Sequence, residues 1–142
     1  MTSFNLDDFL PYQLAVLASR VSRDFAKLYG EVFDISIPEW RVVAHLSQAQ
    51  RVSVREIHER VDMDKSKVSR AASRLEVAGY LSKRVNPSDR RLIELELTDK
   101  GRAMIAAIKP IADDYQAQVL ADLPPEEAAA FRATLAKLLG TK

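Results

Sequence analysis

The 142-residue sequence contains no cysteine, two histidines and four glycines. Without cysteine, the chain can form no disulfide bond, offer no thiolate to a metal and sense no oxidant through a thiol. Two isolated histidines, His45 and His58, give no metal-ligand pattern, so we expect neither a metal nor a cofactor. No apolar run approaches the roughly 20 residues that cross a bilayer, and the first ten residues show no secretory signal. These absences predict a soluble, cytoplasmic protein.

The sequence also lacks the motifs of common enzyme classes. It has no glycine-rich phosphate loop, no cysteine nucleophile and no serine in a strand-turn-helix elbow. Ser69 has no base on its own predicted helix face, and Asp113 and Asp114 are adjacent helical residues that point in different directions. We therefore predict no catalytic residues and no enzyme activity.

Charge is distributed unevenly, although the net charge is only +1. Residues 65–91 contain eight basic and two acidic residues, which gives this segment a net charge of +6. The other 115 residues contain 13 basic and 18 acidic residues, a net charge of −5. A basic segment of this kind in an otherwise acidic chain favours a polyanionic partner.

Apolar residues recur at three- and four-residue steps over most of the chain, which predicts a mainly α-helical fold. Ser36 and Ser53 each precede a glutamate by three residues, a signal for the start of a helix. Asp64 is suited to cap another helix, and Gly79 is suited to end it. Pro110 is expected to bend the fifth predicted helix. The predicted helices cover approximately residues 8–31, 37–48, 53–61, 64–78, 98–119 and 125–140.

The fourth predicted helix is polar on most of its circumference. A surface helix stabilised by ion pairs interleaves both signs of charge at four-residue spacing, whereas this one has only Glu76 among its cations. A polar partner is therefore favoured over the alternative, a solvated charged face. The predicted inward stripe comprises Val68, Ala71, Ala72, Leu75 and Ala78. The opposite side carries Ser66, Ser69, Arg70, Ser73 and Arg74.

A two-stranded hairpin with a basic tip is predicted after this helix. From Ile93 onward, apolar residues alternate with glutamates, as in a half-buried strand. If the polar partner is double-stranded DNA, we expect Arg90 or Arg91 at the tip to enter its minor groove, where narrow A·T-rich tracts concentrate negative potential. Asp89 is expected to stabilise this wing by orienting a neighbouring cation. The alternative is an ordinary solvated turn.

Two short helices joined by a tight turn and followed by a hairpin have the layout of a winged helix-turn-helix. The major groove of B-DNA is about 12 Å wide and admits one α-helix, and serine and arginine side chains bind phosphates and base edges there. The alternative is a winged helix that docks an acidic protein through the same basic face. The candidate DNA contacts are Lys65, Ser66, Lys67, Ser69, Arg70, Ser73, Arg74, Arg90 and Arg91.

Three segments of the sequence resemble the MarR family of bacterial transcriptional regulators. They are residues 37–46 (IPEWRVVAHL), residues 53–84 and, most specifically, residues 89–101 (DRRLIELELTDKG). The resemblance covers nearly the whole chain. The family's wing signature is matched by Asp89, Arg90, Arg91, Leu97, Thr98 and Gly101.

This resemblance implies one chain, 1–142, with a winged-helix DNA-binding lobe at 36–98 and dimerisation helices at 8–31 and 99–140. It also implies a ligand-responsive repressor of transcription that acts as a homodimer on a palindromic operator. The two DNA-contacting helices of such a dimer should lie about one DNA turn apart, ~34 Å. Apolar stripes at both ends of the chain support this expectation, because they have little else to bury against.

Members of the family are often released from DNA by a small phenolic or aromatic carboxylate ligand, which implies an effector as a further partner. Candidate contacts in the crevice near the first two helices are Tyr12, Arg20, Trp40 and His45, since arginine suits a carboxylate. The alternative interpretation is structural: Trp40 in the core, Arg20 in an ion pair and His45 as a partly buried, hydrogen-bonded residue.

Overall fold

A computed structural model describes residues 3–49 and 51–140. Over these ranges the chain forms six α-helices and three short strands, preceded by a 3₁₀ turn at Leu6–Asp8. The mainly helical winged-helix fold predicted from the sequence is confirmed. None of these helices is long and apolar enough to cross a membrane. The elements are α1 (Leu10–Gly30), α2 (Ile37–Leu46), β1 (Val52–Ser53), α3 (Val54–Arg60), α4 (Lys65–Val77), β2 (Leu81–Val85), β3 (Ile93–Leu97), α5 (Asp99–Val119) and α6 (Pro125–Leu139).

Short polar side chains fix where the central helices begin. The Ser53 hydroxyl accepts the backbone N–H of Glu56 at 3.1 Å, and the Glu56 carboxylate accepts the Ser53 N–H in return, so this capping box is complete. In α2 only half of the predicted box forms, because the Glu39 carboxylate accepts the hydroxyl of Ser36 instead of its N–H. Asp64 caps α4 by accepting the N–H of Lys67 at 2.8 Å. The predicted starts of all three helices are therefore confirmed.

The sheet has three antiparallel strands in the order β1-β3-β2, so the prediction of a two-stranded hairpin was incomplete. Val52 of β1 pairs with Leu95 in the middle of β3. A two-residue strand is too short to show an alternating pattern, which is why β1 was not visible in the sequence. The added strand joins the start of α3 to the middle of β3.

Two residues predicted to face the core are exposed. Ala78 is the residue at which α4 ends, directly before Gly79, which has φ +88°, and its carbonyl oxygen accepts a hydrogen bond from Lys100. Ile93 is 42 % exposed. It pairs with Val85 next to the turn of the hairpin, whereas β1 pairs only with Glu94 and Leu95, further along β3. Both positions lie where an element leaves the core, and periodicity does not mark that point.

The buried core lies in the middle of the chain and includes the start of α5. By contrast, α6 has no buried residue, and α1 buries only Tyr29 completely. Large apolar side chains of α1 and α6, such as Leu14 and Leu138, are left in contact with solvent. A single copy of the chain therefore leaves two helices with uncovered apolar faces. The largest fully buried core residues besides Tyr29 are Val42, Val43, Val52, Ile57, Val68, Leu75, Leu81, Leu95, Met104 and Ile108.

The start of α5 lies directly against the end of α4. Thr98 caps α5 by accepting the N–H of Gly101 at 3.1 Å, and its hydroxyl donates to the carbonyl oxygen of Gly79 at 2.6 Å. A Cβ atom on Gly101 would lie 2.1 Å from the carbonyl oxygen of Tyr80, which is far inside van der Waals contact. Only glycine at position 101 permits this approach, which explains why the segment DRRLIELELTDKG ends in glycine.

We predict that Gly101→Ala lowers the free energy of unfolding by about 1–3 kcal/mol, the usual cost of overpacking a close contact. The matched control is Gly30→Ala, because a Cβ atom on Gly30 would have nothing within 4 Å and this glycine has no positive φ. That variant should be neutral or slightly more stable. Urea unfolding at equal protomer concentration measures both. Equal midpoints for the two variants would show that α5 does not contact Tyr80.

Candidate nucleic-acid interface

The helix α4 separates its buried and exposed residues as the sequence predicted, apart from Ala78. Its inward stripe is at most 1 % exposed and packs against the core. The side chains on the opposite side are all exposed, and together we call them the outer face of α4. This face consists of Lys65, Ser66, Lys67, Ser69, Arg70, Ser73 and Arg74.

The two ends of the outer face differ in their contacts. Within the described ranges, the side chains from Lys65 to Arg70 form no hydrogen bond and no ion pair, whereas Ser73 and Arg74 both have partners. Ser73 accepts a hydrogen bond of 2.8 Å from Lys83 of β2. The first two turns of α4 thus present polar and cationic groups that no other described part of the chain engages.

Arg74 lies 3.7 Å from the carboxylate of Glu39 on α2, a distance that makes an ion pair but not a hydrogen bond. Glu39 is only 8 % exposed, and a buried carboxylate is costly unless a cation or hydrogen-bond donor lies next to it. Arg74 therefore has a structural partner that the sequence did not indicate. Its side chain remains 64 % exposed, so the same residue still borders the outer face.

The turn between α3 and α4 is fixed by a histidine that no sequence pattern singled out for this role. Nδ1 of His58 donates to the carbonyl oxygen of Met63 at 2.6 Å, across a turn in which Asp62 has φ +52°. Aspartate tolerates this left-handed conformation better than most residues. The hydrogen bond and the Asp64 cap together set the angle at which α4 leaves the turn. No local sequence signal marks a contact between a side chain and a carbonyl five residues away.

The wing consists of β2, β3 and the turn between them, residues 81–97. In this turn the Asp89 carboxylate accepts two hydrogen bonds from the Arg91 guanidinium, at 3.0 and 3.2 Å, and one from the Arg91 N–H. These bonds lower the pKa of Asp89 and raise the pKa of Arg91. Arg90 is exposed and has no partner among the described residues. Asp89 thus orients Arg91, while Arg90 points its charge into solvent unpaired.

Three of the predicted contact residues, Lys65, Ser69 and Arg91, line one small cleft where the start of α4 meets the wing. The structure brings a fourth polar residue to the same cleft, Arg55 of α3, which was not among the predicted contacts. Its only signal in the sequence is that it precedes the basic segment by ten residues. Tertiary structure, not sequence position, brings it there.

The four candidate effector residues do not meet within one chain. Trp40 and His45 line an open cavity of about 390 Å³ beside α2, whereas Tyr12 and Arg20 are exposed on α1 and are not part of its lining. Nε2 of His45 is buried without a hydrogen-bond partner in the described ranges. The alternative of a partly buried, hydrogen-bonded histidine is therefore met for burial but not for the hydrogen bond of this atom. Burial, and secondarily Arg60, lowers the pKa of His45. Residues 3–49 and 51–140 contain no group of three or more potential metal ligands.

Comparison with known proteins points to one family. The MarR family model matches residues 33–92, from the connection before α2 to the end of the wing turn. Over these residues the chain is similar to the MarR family. The matched range contains the outer face of α4, the wing turn and every residue of the cleft between them except Ile93, so the similarity lies in the same part of the chain as the candidate interface.

Curated HTH-type transcriptional regulators are similar to this chain over part of their length. An uncharacterized HTH-type transcriptional regulator of Bacillus subtilis, YdgJ, is 30 % identical over 105 residues, which cover 71 % of this chain and 64 % of YdgJ. The B. subtilis repressor MdtR is 34 % identical over 86 residues, which cover 61 % of this chain and 56 % of MdtR. The chain spans less than two thirds of both relatives.

Solved structures extend the similarity to the whole fold. A MarR/EmrR family transcriptional regulator from Acinetobacter sp. ADP1 is 27 % identical, with a TM-score of 0.81 over 95 % of each chain. A cysteine-to-serine mutant of Escherichia coli MarR, crystallised with operator DNA, has a TM-score of 0.83 over 99 % of this chain and 100 % of its own. At 20 % identity, the second comparison shows the fold alone.

We predict that the Asp89 carboxyl group titrates below the ordinary aspartate pKa, because Arg91 stabilises its charged form. The ion pair should therefore persist as the pH falls through the ordinary aspartate range, and be lost only below it. Carbon-13 NMR of the side-chain carboxyl measures this titration. Arg91→Ala should raise the Asp89 pKa, and the control Arg90→Ala should not. An equal pKa in both variants would contradict the assigned pairing.

Proposed function

We propose that this chain is a sequence-specific DNA-binding transcriptional regulator that acts as a homodimer. The observation that carries this proposal is the outer face of α4. Its first two turns place Lys65, Ser69 and Arg70 in solvent without an internal partner among the described residues, on a helix whose other side is fixed in the core. A rigid helix that exposes serines and arginines fits the width and the hydrogen-bonding groups of a major groove.

The wing supports the same proposal from a second position. Arg91 is held by Asp89, whereas Arg90 has no partner among the described residues and is free to approach a minor groove of the duplex, where the backbone phosphates concentrate negative potential. Arg91 lines a cleft with Lys65 and Ser69 of α4, and we propose that it contacts the DNA backbone there. The predicted roles of the two arginines thus separate into a groove contact and a backbone contact.

Relatives support a regulatory role without catalysis. YdgJ is an HTH-type transcriptional regulator, MdtR is a transcriptional repressor, and a mutant of E. coli MarR was crystallised with operator DNA. By this likeness we propose that the chain represses transcription, has no enzyme activity and works in the bacterial cytoplasm, where operator DNA is found. The predicted lobe at 36–98 would bind DNA, and residues 8–31 and 99–140 would form the dimer.

A second copy of the chain is the partner that fits the uncovered helices. The exposed apolar side chains of α1 and α6 come from the two ends of the sequence, and α6 buries no residue within one chain. Two copies related by a two-fold axis would cover these faces mutually and place two α4 helices on one side. Such a dimer binds a palindrome whose half-sites lie about one DNA turn apart, ~34 Å.

The test of DNA binding is the salt dependence of affinity for a duplex selected by the protein from a random library. If each subunit neutralises roughly four phosphates, the slope of log affinity against log salt should be about −7 for the dimer. A module that docks an acidic protein, the alternative use of the basic face, would select no duplex. Absence of duplex binding at low salt would overturn the proposed function.

Arg70→Ala should lower discrimination between the selected and a random duplex by about 1–3 kcal/mol if Arg70 contacts a base edge, as we propose. The control is Arg23→Ala, an exposed arginine on α1 that lies outside the DNA-binding lobe. An equal loss of affinity on both duplexes would instead make Arg70 a phosphate contact. Sedimentation velocity should show a dimer for each variant.

We further propose that an aromatic carboxylate regulates DNA binding from the cavity lined by Trp40 and His45. His45 lines this cavity and its Nε2 has no hydrogen-bond partner among the described residues, while the ring of Trp40 provides an apolar wall. DNA binding by BpsR of Bordetella bronchiseptica, which shares this fold, is regulated by 6-hydroxynicotinic acid.

Because Trp40 is the only tryptophan, its fluorescence reports directly on this cavity. Salicylate or 6-hydroxynicotinic acid should change the emission saturably and weaken duplex binding over the same concentration range. His45→Gln should weaken the response, and cyclohexanecarboxylate, which lacks the aromatic ring, serves as the control ligand. A fluorescence change without any effect on duplex binding would refute regulation from this cavity.

A further inference from the structure

A narrow cleft separates the outer face of α4 from the wing, and its walls come from three different elements. The cleft has a volume of about 100 Å³. Polar and cationic side chains form its walls, while Val54, Leu92 and Ile93 complete its lining. We call it the basic notch. Its polar lining residues are Arg55 of α3, Lys65 and Ser69 of α4, and Arg91 of the wing.

The charges around the basic notch are not balanced within the described residues. Arg91 is paired with Asp89, but Arg55 and Lys65 form no ion pair there. Arg55 is close enough to Asp89 to contribute to the low pKa of that carboxyl group, so the three cations surround one small region. With Asp89 counted, this region carries a net charge of +2. Two uncompensated cations at one cleft favour an anion.

The chemistry of the lining selects the kind of anion. An arginine fork, a lysine ammonium and a serine hydroxyl can all donate to the oxygens of one tetrahedral group, which is how proteins bind phosphate. No aromatic residue among those that the structure describes lines the notch, so its described lining offers no ring on which a base could stack. The volume is also too small for a nucleoside. A single phosphate group matches both the charge and the size.

The position of the basic notch identifies the source of the phosphate. In a duplex, neighbouring major and minor grooves are separated by one sugar-phosphate backbone. A protein with α4 in the major groove and the wing in the minor groove must therefore straddle that backbone. The basic notch lies where α4 and the wing would span that backbone, because Lys65 and Ser69 belong to α4 and Arg91 belongs to the wing.

We infer that the basic notch of each subunit binds one backbone phosphate of the duplex, and that Arg55 is a DNA contact supplied by α3. This inference rests on the proposed function and refines it, since it assigns a residue and a phosphate to one place. The contact carries no base information, so its effect is to fix the register in which Arg70 and Arg90 approach their grooves.

The experiment compares wild type with Arg55→Ala, Arg55→Lys and Arg60→Ala. Arg60 is the matched control, because it is an exposed arginine on the same helix and does not line the notch. Loss of one phosphate contact per subunit should reduce the salt slope by about 0.9, or about 1.8 for the dimer. The affinity gap between wild type and Arg55→Ala should thus narrow about tenfold between 50 and 200 mM salt.

The loss in Arg55→Ala should be equal on the selected and the random duplex, and Arg55→Lys should retain most of the wild-type slope. Removing a cation from the first turn of α3 does not weaken that helix, because its N-terminus carries positive partial charge. Thermal melting of each variant checks this. The inference would be overturned if Arg55→Ala kept the wild-type slope of log affinity against log salt, or if it lost affinity for the selected duplex alone.

A second measurement locates the phosphate. Single methylphosphonate substitutions, which remove the charge of one phosphate at a time, are scanned along the selected duplex. Wild type should lose affinity at one additional position in each half-site to which Arg55→Ala is insensitive. If no position distinguishes the two proteins, the notch holds no phosphate although the chain still binds DNA. If wild type selects no duplex, the proposed function itself fails.

Discussion

The start of α5 lies against the carbonyl group of Tyr80 at a distance that only glycine at position 101 allows. Thr98 reinforces the contact from the same turn, and Lys100 donates to the carbonyl oxygen of Ala78, the residue that ends α4. A lysine at the C-terminal end of a helix also complements its dipole. Because the last turn of α4 and the first turn of α5 are bonded at several points, the direction of the helix proposed to face DNA follows the direction of α5. The separation and tilt of two such helices in a dimer then depend on how the α5 helices are held.

The charged side chains of the outer face of α4 and of the core of the lobe differ in whether they have internal partners. Glu39 is buried, and it has both a hydroxyl donor and a cation within reach, as a buried carboxylate requires. The cations at the start of α4 have no such partners among the described residues and remain in water, where an unpaired charge costs little. Leaving them unpaired gives up a small gain in stability, but it avoids the cost of breaking internal ion pairs when a polyanion arrives. A surface with pairs already formed would have to exchange them for phosphates.

Local signals made much of this fold predictable, and contacts between distant segments limited the prediction. Ser53 and Asp64 cap their helices through residues three positions away, so a sequence pattern contains the whole interaction. Arg55 and the partner of Arg74 depend instead on how α2, α3 and the wing pack, and no spacing along the chain encodes that. Strand β1 could not be predicted for a different reason: two residues pair with β3 without any periodicity of their own. The predicted outer face of α4 therefore has the expected exposure, while its neighbours Arg55 and Glu39 became visible only in the folded chain.

The same packing gives a short path between the cavity beside α2 and the outer face of α4. Trp40 lines the cavity, and the adjacent residue, Glu39, forms the ion pair with Arg74 of α4. Val42 and Val43, on the next turn of α2, are fully buried in the core that α4 shares. A close-packed core transmits a shift of one helix to its neighbour instead of absorbing it. A ligand that prefers one position of α2 would thus favour one position of α4, and the size of that effect is limited by the ligand's difference in affinity for the two arrangements. The proposed regulation of DNA binding would require no contact between the ligand and DNA, because α2 touches both the cavity and the helix proposed to face the duplex.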